Sequence, residues 1–436
     1  MTGSATWRSW SGLTTARPRR QLAPRDEAEV VDAVVAARAA ALRVKMVGSG
    51  HSFTDVALTD GLLLRPDALV GVRSVDRDAM TVTVLAGTPL HVLNDRLAGL
   101  GLALHNMGDV DRQTVAGAIA TGTHGTGGRR ASLSDQVAAL DLVTADGTVV
   151  QACTDGTEQQ ADLLAAARVG LGALGVATAV TFRVEPAFLL EAVEEPMPWD
   201  RVVGEFDALA GGNEHFEAYW FPHTDRMLTK RNNRTTQRRP LPRLRGYVED
   251  ELLSNTVFGL LTRVGHRVPR AVPTLNRVAS RGLSRRVYSD LSHRVFTSSR
   301  RVVFREMEYA VPREAGMTAL REARALVERR GWRIDFPVEI RHAPADAAWL
   351  STAHGRDTVY LAFHVDARTD HTAYFEGVEA VMRAHDGRPH WGKLHTRTAA
   401  DLAPAYPRFA EFVALRDRLD PGRLFTNPYL ERVLTP

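Results

Sequence analysis

Four stretches of this chain carry residue types that act on ligands. Gly48-Ser49-Gly50-His51-Ser52 combines two glycines with an imidazole and two hydroxyls. Glycine lets backbone N–H groups turn toward an anion, as phosphate-binding nests do. The Gly-Lys-Ser/Thr of a Walker loop and the third glycine of a dinucleotide fingerprint are both missing. Alone, the stretch therefore reads equally well as a tight turn. A second stretch, Thr114 to Gly127, is dense in glycine, alanine and threonine. Such a segment can run close beside a flat, phosphorylated ligand and offer N–H and O–H donors without bulk. A third small-residue turn spans Gly172 to Gly175. The fourth set is split in sequence: Glu339 and Arg341, and then Trp391-Gly392-Lys393. In a strand, residues two apart face the same side, so Glu339 and Arg341 can flank one ligand as acceptor and donor. Lysine is scarce, with only Lys45, Lys230 and Lys393 in the chain. A compact ammonium can be desolvated and tuned in ways a guanidinium cannot.

These residues need elements to hold them. Asp26 to Ala41 predicts a helix with carboxylates in its first turn, which suits the helix dipole. Arg43–Val47 reads as a strand that runs straight into the first glycine loop, and Leu62–Leu64 and Thr81–Gly87 as further strands. A helix is predicted over Pro89–Leu100. Ala138–Thr144 and Thr148–Ala152 flank Ala145-Asp146-Gly147, a hairpin turn by composition. Ala177–Glu185 is a strand candidate, and Pro186 marks a domain boundary. Beyond it, strand-like runs cover Val302–Ala310, Val338–His342 and Thr358–Val365, with helices predicted at Arg313–Arg330 and Tyr374–His385. The segment between Arg226 and Arg305 reads as a basic helical insertion with proline-rich edges, and Lys230 within it as a surface residue.

Composition narrows the function classes. The chain has 436 residues, 44% of them hydrophobic, which describes a globular protein of two or three domains. Between Arg226 and Arg305 there are 19 basic residues against 4 acidic ones, and the rest of the chain is net acidic. That block could attract polyanions or an anionic membrane, although a solvated surface explains it as well. One cysteine, Cys153, excludes an intrachain disulfide and any cysteine-rich metal knuckle. No run of about 18 apolar residues exists, so no membrane span is expected. Met1–Trp10 lacks the apolar core of a secretory leader, and a cytoplasmic location is expected. His364 and His371, or His390 and His395, do not have helical zinc-site spacing, so no metal is expected. No Gly-x-Ser-x-Gly elbow supports a serine hydrolase.

The order of Gly-Ser-Gly-His-Ser-Phe, then Ala-Thr-Gly-Thr-His-Gly-Thr-Gly, then Leu-Gly-Ala-Leu-Gly-Val resembles the FAD domain of the vanillyl-alcohol-oxidase superfamily. Glu339-Ile340-Arg341 and His390-Trp391-Gly392-Lys393-Leu394-His395 are similar to the sugar-1,4-lactone oxidase branch, with alditol oxidases as near relatives. The resemblance runs from about Trp7 to Leu434. It implies an α+β, two-domain flavoprotein: a PCMH-type FAD-binding domain over residues 1–186, completed by 401–436, and an α+β cap or substrate domain over 187–400.

By the same resemblance, Met46, Val47, Gly48, Ser49, Gly50, His51, Ser52, Thr114, Gly117, Thr121, Gly122, Thr123 and His124 would hold the FAD pyrophosphate and ring system. Gly108 and Asp109 would lie beside the flavin, and Val176 would serve the adenine end. His51 matches the histidine that bonds covalently to the flavin 8α-methyl in many members. Arg341 would sit near flavin N1, with Glu339 and Lys393 on the substrate hydroxyls and Trp391 as a flat wall. The two cation roles can be exchanged. Gly108 falls where relatives place a small residue guarding the flavin C4a face, and glycine there favours dioxygen as acceptor, giving hydrogen peroxide. The implied substrate is a small sugar lactone of L-gulono- or D-arabinono-1,4-lactone type. The alternatives are a polyol, or a lactone dehydrogenase passing electrons to a cytochrome or quinone. No nucleic-acid partner is implied, and the oligomeric state stays open.

Overall fold

The computed structural model describes residues 6–130, 132–242, 256, 258–298 and 301–435. The helix Glu27–Ala39 is capped by Asp26, whose side chain accepts from the Glu29 N–H. It lies beside a three-stranded parallel sheet in which Leu62–Leu64 is flanked by Arg20–Leu22 and Val44–Met46. A five-stranded antiparallel sheet follows, ordered Val149–Cys153, Val137–Val143, Val176–Arg183, Thr81–Leu85, Val72–Asp76. The helix Val115–Ala120 is capped by Thr114, whose hydroxyl accepts from the Gly117 N–H at 3.3 Å.

The cap is one eight-stranded sheet, ordered Arg286–Leu291, Leu189–Pro198, Arg226–Thr235, His215–Trp220, Val338–Ala343, Thr358–Asp366, Phe304–Pro312, Arg388–Pro389. Its strands alternate between two environments, as a pleated sheet requires. Val338, Ile340, Leu361, Phe363, Met307 and Tyr309 share a core with residues of the helices Gly316–Arg330 and Thr372–Ala384. The alternate residues carry charge: Glu339 and Arg341 on one strand, Glu306 and Glu308 on another. Through Glu308 and Arg341 this face meets His124 and Asp109 of the first domain. The C-terminal helices Phe409–Leu419 and Pro428–Leu434 pack into the core of the first domain, through Phe412, Tyr429 and Val433.

The basic segment departs from the helical reading. Arg226–Thr235 and Arg286–Leu291 are strands of the cap sheet, with helices at Phe258–Arg267 and Val272–Gly282 between them. Part of that segment, 243–255, 257, 299 and 300, lies outside the described residues. Lys230 is not a surface residue. Its ammonium donates to the Val295 carbonyl at 2.8 Å and lies 3.7 Å from Glu217, with the side chain only 11% exposed.

Six histidines shielded from solvent bear on the acid stability. Burial holds His51, His215, His223, His342 and His390 at pKa values of about 4, and His395 at about 3, below the ordinary 6.5. A depressed histidine stabilises the fold above its unfolded pKa, and that stability is lost as pH falls through the folded value. Burial of Asp335 and Asp346 acts oppositely, raising both to about 7, so their contribution is lost as pH rises. The histidines outnumber them. The melting temperature is therefore expected to fall steadily from pH 6.5 to 4.5, and a flat profile in scanning fluorimetry would contradict these assignments.

Candidate active site at the domain junction

Two clefts meet at the domain junction. The first encloses about 1200 Å³, open mouth included, and is lined by Met46 to Ser52, Thr114, Gly117, Thr121 and Val176. Strand Val44–Met46 delivers the glycine loop to it. The loops are pressed together: a Cβ on Gly48 would stand 2.3 Å from the Thr114 hydroxyl, so a larger residue there must displace the hydroxyl that caps the helix Val115–Ala120. Gly50 has φ +71, a left-handed conformation that side chains rarely adopt. Besides the glycine loop, the lining includes the apolar side chains of Leu140, Leu142, Leu174 and Phe425.

The second cleft, about 1440 Å³, is lined by Gly108, Asp109, Thr123, His124, Glu306, Glu308, Glu339, Arg341, His390 and Lys393. Both clefts share His51, Ser52, Gln113 and Thr121. An elongated ligand with an apolar end, an anionic middle and a flat polar head fits this path, and FAD has that form. Gly122 lines neither cleft. Its φ of +77 turns the chain between Thr121 and Thr123. Trp391 does not form the expected wall. It is 0% exposed, its indole N–H donates to the Leu350 carbonyl at 2.7 Å, and it packs on Tyr406. Its place in the core instead anchors the Gly392-Lys393 turn.

His51 stacks on Trp10, with ring centroids 5.2 Å apart. Burial, and secondarily the Lys393 charge, hold its pKa at about 4, so the imidazole is neutral. Arg341 is ringed by carboxylates: it pairs closely with Glu339, lies 3.1 Å from Glu217 and 3.5 Å from Asp109. Tyr219 donates to Glu339 at 3.0 Å. Burial opposes the Arg341 charge, but Glu339, Asp109 and Glu217 outweigh it.

The ammonium of Lys393 pairs closely with Glu306 and lies 5.3 Å from the centre of the Phe53 ring. Burial works against this charge too, but Glu306 and then Glu308 hold the pKa above the ordinary lysine value. Burial would raise Glu306, yet Lys393 and His364 keep it well below the usual carboxylate range. Glu308 is drawn down to about 2, against burial, chiefly by His124. His124 Nε2 meets Glu308 at 2.9 Å, its Nδ1 meets the Gly125 carbonyl at 2.9 Å, and its ring stacks on Tyr360.

The cap-sheet register explains the assembly. Tyr219, Glu339, Ala362 and Glu308 stand opposite one another across four strands, and Glu306 stands opposite His364. Glu217, Glu306, Glu308 and Tyr219 escaped the sequence reading. The spacing of Glu306 and Glu308, two apart in a strand-like run, is the same signal that pointed to Glu339 and Arg341. His124, Glu308 and His390 have ligand atoms within 4.8 Å of one another. Their bonding is that of a hydrogen-bonded network: His124 already pairs with Glu308, and His390 Nδ1 accepts the Gly392 N–H at 3.0 Å.

A family model described as D-arabinono-1,4-lactone oxidase matches residues 180–433, and one described as an FAD binding domain matches residues 18–152. The chain belongs to the D-arabinono-1,4-lactone oxidase family. It is an FAD-dependent oxidoreductase of the sugar-lactone oxidase branch. Similar curated proteins include the L-gulono-1,4-lactone dehydrogenase of Mycobacterium tuberculosis, 42% identical over 99% of this chain and 100% of that one. The L-gulonolactone oxidase of Mus musculus and an alditol oxidase of a Streptomyces species are each 33% identical over 98% of both chains. Among solved structures, a cholesterol oxidase from Brevibacterium sterolicum superposes with a TM-score of 0.81 at 17% identity, covering 98% of this chain and 96% of that one. The last likeness shows the fold. The family relation fits the site: the FAD-binding match covers Gly48–Ser52 and Thr114–His124, and the lactone-oxidase match covers Glu339, Arg341 and Lys393.

Proposed function

We propose that this protein oxidises the C2 hydroxyl of an aldono-1,4-lactone of L-gulono or D-arabinono type, with dioxygen as final acceptor and hydrogen peroxide as product. The observation that carries this reading is the convergence of Glu339, Arg341 and the Lys393–Glu306 pair in one buried cleft beside His51. Bound FAD would supply the hydride acceptor, N5. The chain supplies the rest. Carboxylates and cations alternate around the cleft, which suits a neutral polyhydroxy ligand whose hydroxyls both donate and accept. Glu339 accepts from a substrate hydroxyl, and Lys393 donates to a substrate oxygen. Arg341, fixed by Glu217 and Asp109, would offer a positive field to negative charge on bound flavin. Fixed charges act without reorganising during the reaction.

His51 is the proposed attachment point. A neutral imidazole has a free lone pair and is a competent nucleophile. Flavin is expected to stay with the acid-precipitated wild-type protein and to be released from His51→Ala. Release from both would remove the covalent link and leave the oxidoreductase reading in place.

The acceptor reading rests on Gly108 in the second cleft, where glycine would leave room for dioxygen beside bound flavin. The same glycine has a packing reason, since a Cβ there would stand 2.9 Å from the His124 carbonyl oxygen. Peroxide release from a panel of L-gulono-1,4-lactone, D-arabinono-1,4-lactone and xylitol, with oxygen as sole acceptor, tests both halves. Turnover of a lactone with stoichiometric peroxide is expected. Brisk dye reduction with negligible peroxide would make the protein a dehydrogenase, and turnover of xylitol alone would make it an alditol oxidase.

A further inference from the structure

Lys45 takes no part in the chemistry above, yet it is 3% exposed at the wall of the first cleft. Its ammonium donates to three backbone carbonyls: Leu171 and Gly172, each at 3.2 Å, and Phe425 at 3.3 Å. These belong to two segments distant in sequence from each other and from Lys45, and all three residues line the cleft together with Lys45 itself. Leu171 and Gly172 have φ of +55 and +60, two left-handed residues in succession, one of them not glycine. That turn is also tied to the helix Val115–Ala120 by the bond from the Leu171 N–H to the Ala120 carbonyl.

We propose that Lys45 is a positioning residue for the cofactor, a three-carbonyl clamp on the wall of the first cleft whose buried positive charge is balanced by the FAD pyrophosphate. Three carbonyls in a cage require three N–H donors. Only the ammonium has them, because a neutral amine turns a lone pair toward one oxygen. No carboxylate lies within hydrogen-bond reach of Lys45 Nζ among the described residues. The turn Gly170–Gly175 and the strand Leu62–Leu64 carry no charge, and Arg423 on the C-terminal segment is paired with Asp417 at 3.0 Å. Asp420 is the charged group that acts on Lys45, and its oxygens already accept the Leu424 and Phe425 N–H groups. Burial, opposed by Asp420, brings the free ammonium to a pKa of about 7. An arriving pyrophosphate raises that value. FAD affinity is then greatest below pH 7 and falls by up to about tenfold per pH unit above it, until the bound-state pKa is passed.

This inference needs FAD binding alone and stands or falls separately from the lactone reading. The test uses full-length His51→Ala protein stripped of flavin, titrated with FAD by flavin fluorescence from pH 6 to 9, with proton uptake read calorimetrically in two buffers. Affinity is expected to fall at least tenfold across that range, with proton uptake near pH 8. Adding Lys45→Met should weaken binding at pH 6 by at least tenfold and flatten the profile. Lys45→Gln keeps two donors without charge, so it should fold, bind FAD at intermediate affinity and also be pH-independent. A flat profile with Lys45 present, or variants that bind FAD as tightly as their parent at pH 6, would overturn the proposal.

Discussion

Lys393→Arg is expected to lower turnover about a hundredfold or more, although it conserves charge. The ammonium sits between Glu306 and the face of Phe53, its side chain 22% exposed. A guanidinium is planar, longer and donates through a rigid fork. It can keep the Glu306 contact only by moving its charge away from the place the ammonium occupies. Removing one fixed donor from a preorganised site costs about 10²–10³ in rate. If Lys393 acts on substrate oxygen as proposed, the loss appears in kcat for lactone oxidation. Binding of FAD and the melting temperature should stay near wild type. Rapid-reaction reduction of the flavin by lactone isolates this step. Reduction within a few-fold of the wild-type rate would show that the lysine is incidental, and that Arg341 alone supplies the cation.

The residues that carry this prediction were readable in the sequence for a physical reason. Val338–His342 and Thr358–Val365 are dense in β-branched and aromatic residues, and Glu339 and Arg341 interrupt an apolar run at period two, so strand and face both followed. The structure extends each strand by one residue. Glycine loops were equally legible, because only small residues permit the approach seen between Gly48 and Thr114. The cap strand Arg226–Thr235 was not. Its buried positions are Met227, Thr229 and Asn232, so the inward face is largely polar and gives no period-two apolar signal. Its basic outer positions then read as an exposed helix. Lys230 was misplaced for the same reason: its burial depends on Glu217 and on the Val295 carbonyl, partners that only the folded sheet brings near. Trp391 was assigned to the site by its neighbours in sequence, and a turn at Gly392 separates its side chain from theirs.

Arg341→Ala should be the most damaging single substitution in the cap. Glu339, Glu217 and Asp109 all lie within ion-pair distance of this one guanidinium, and Lys230 lies 3.7 Å from Glu217. Three carboxylates in a buried cluster without their shared cation must protonate or draw in water. Breaking a buried pair by removing one partner costs about 3–5 kcal/mol, and here one removal uncouples several. The variant is therefore expected to lose stability by that order and to lose lactone oxidation entirely. Stability alone would not show a role at the flavin, so the informative partner is Glu217→Gln. It meets Arg341 at Nε, whereas Glu339 meets Nη2, and it leaves the cation in place. The double variant Glu217→Gln/Arg341→Ala buries one carboxylate fewer than Arg341→Ala. It should regain part of the lost stability and none of the activity. Activity that returned with stability would reduce Arg341 to a structural residue, and the charge at the flavin edge would then have to come from Lys393.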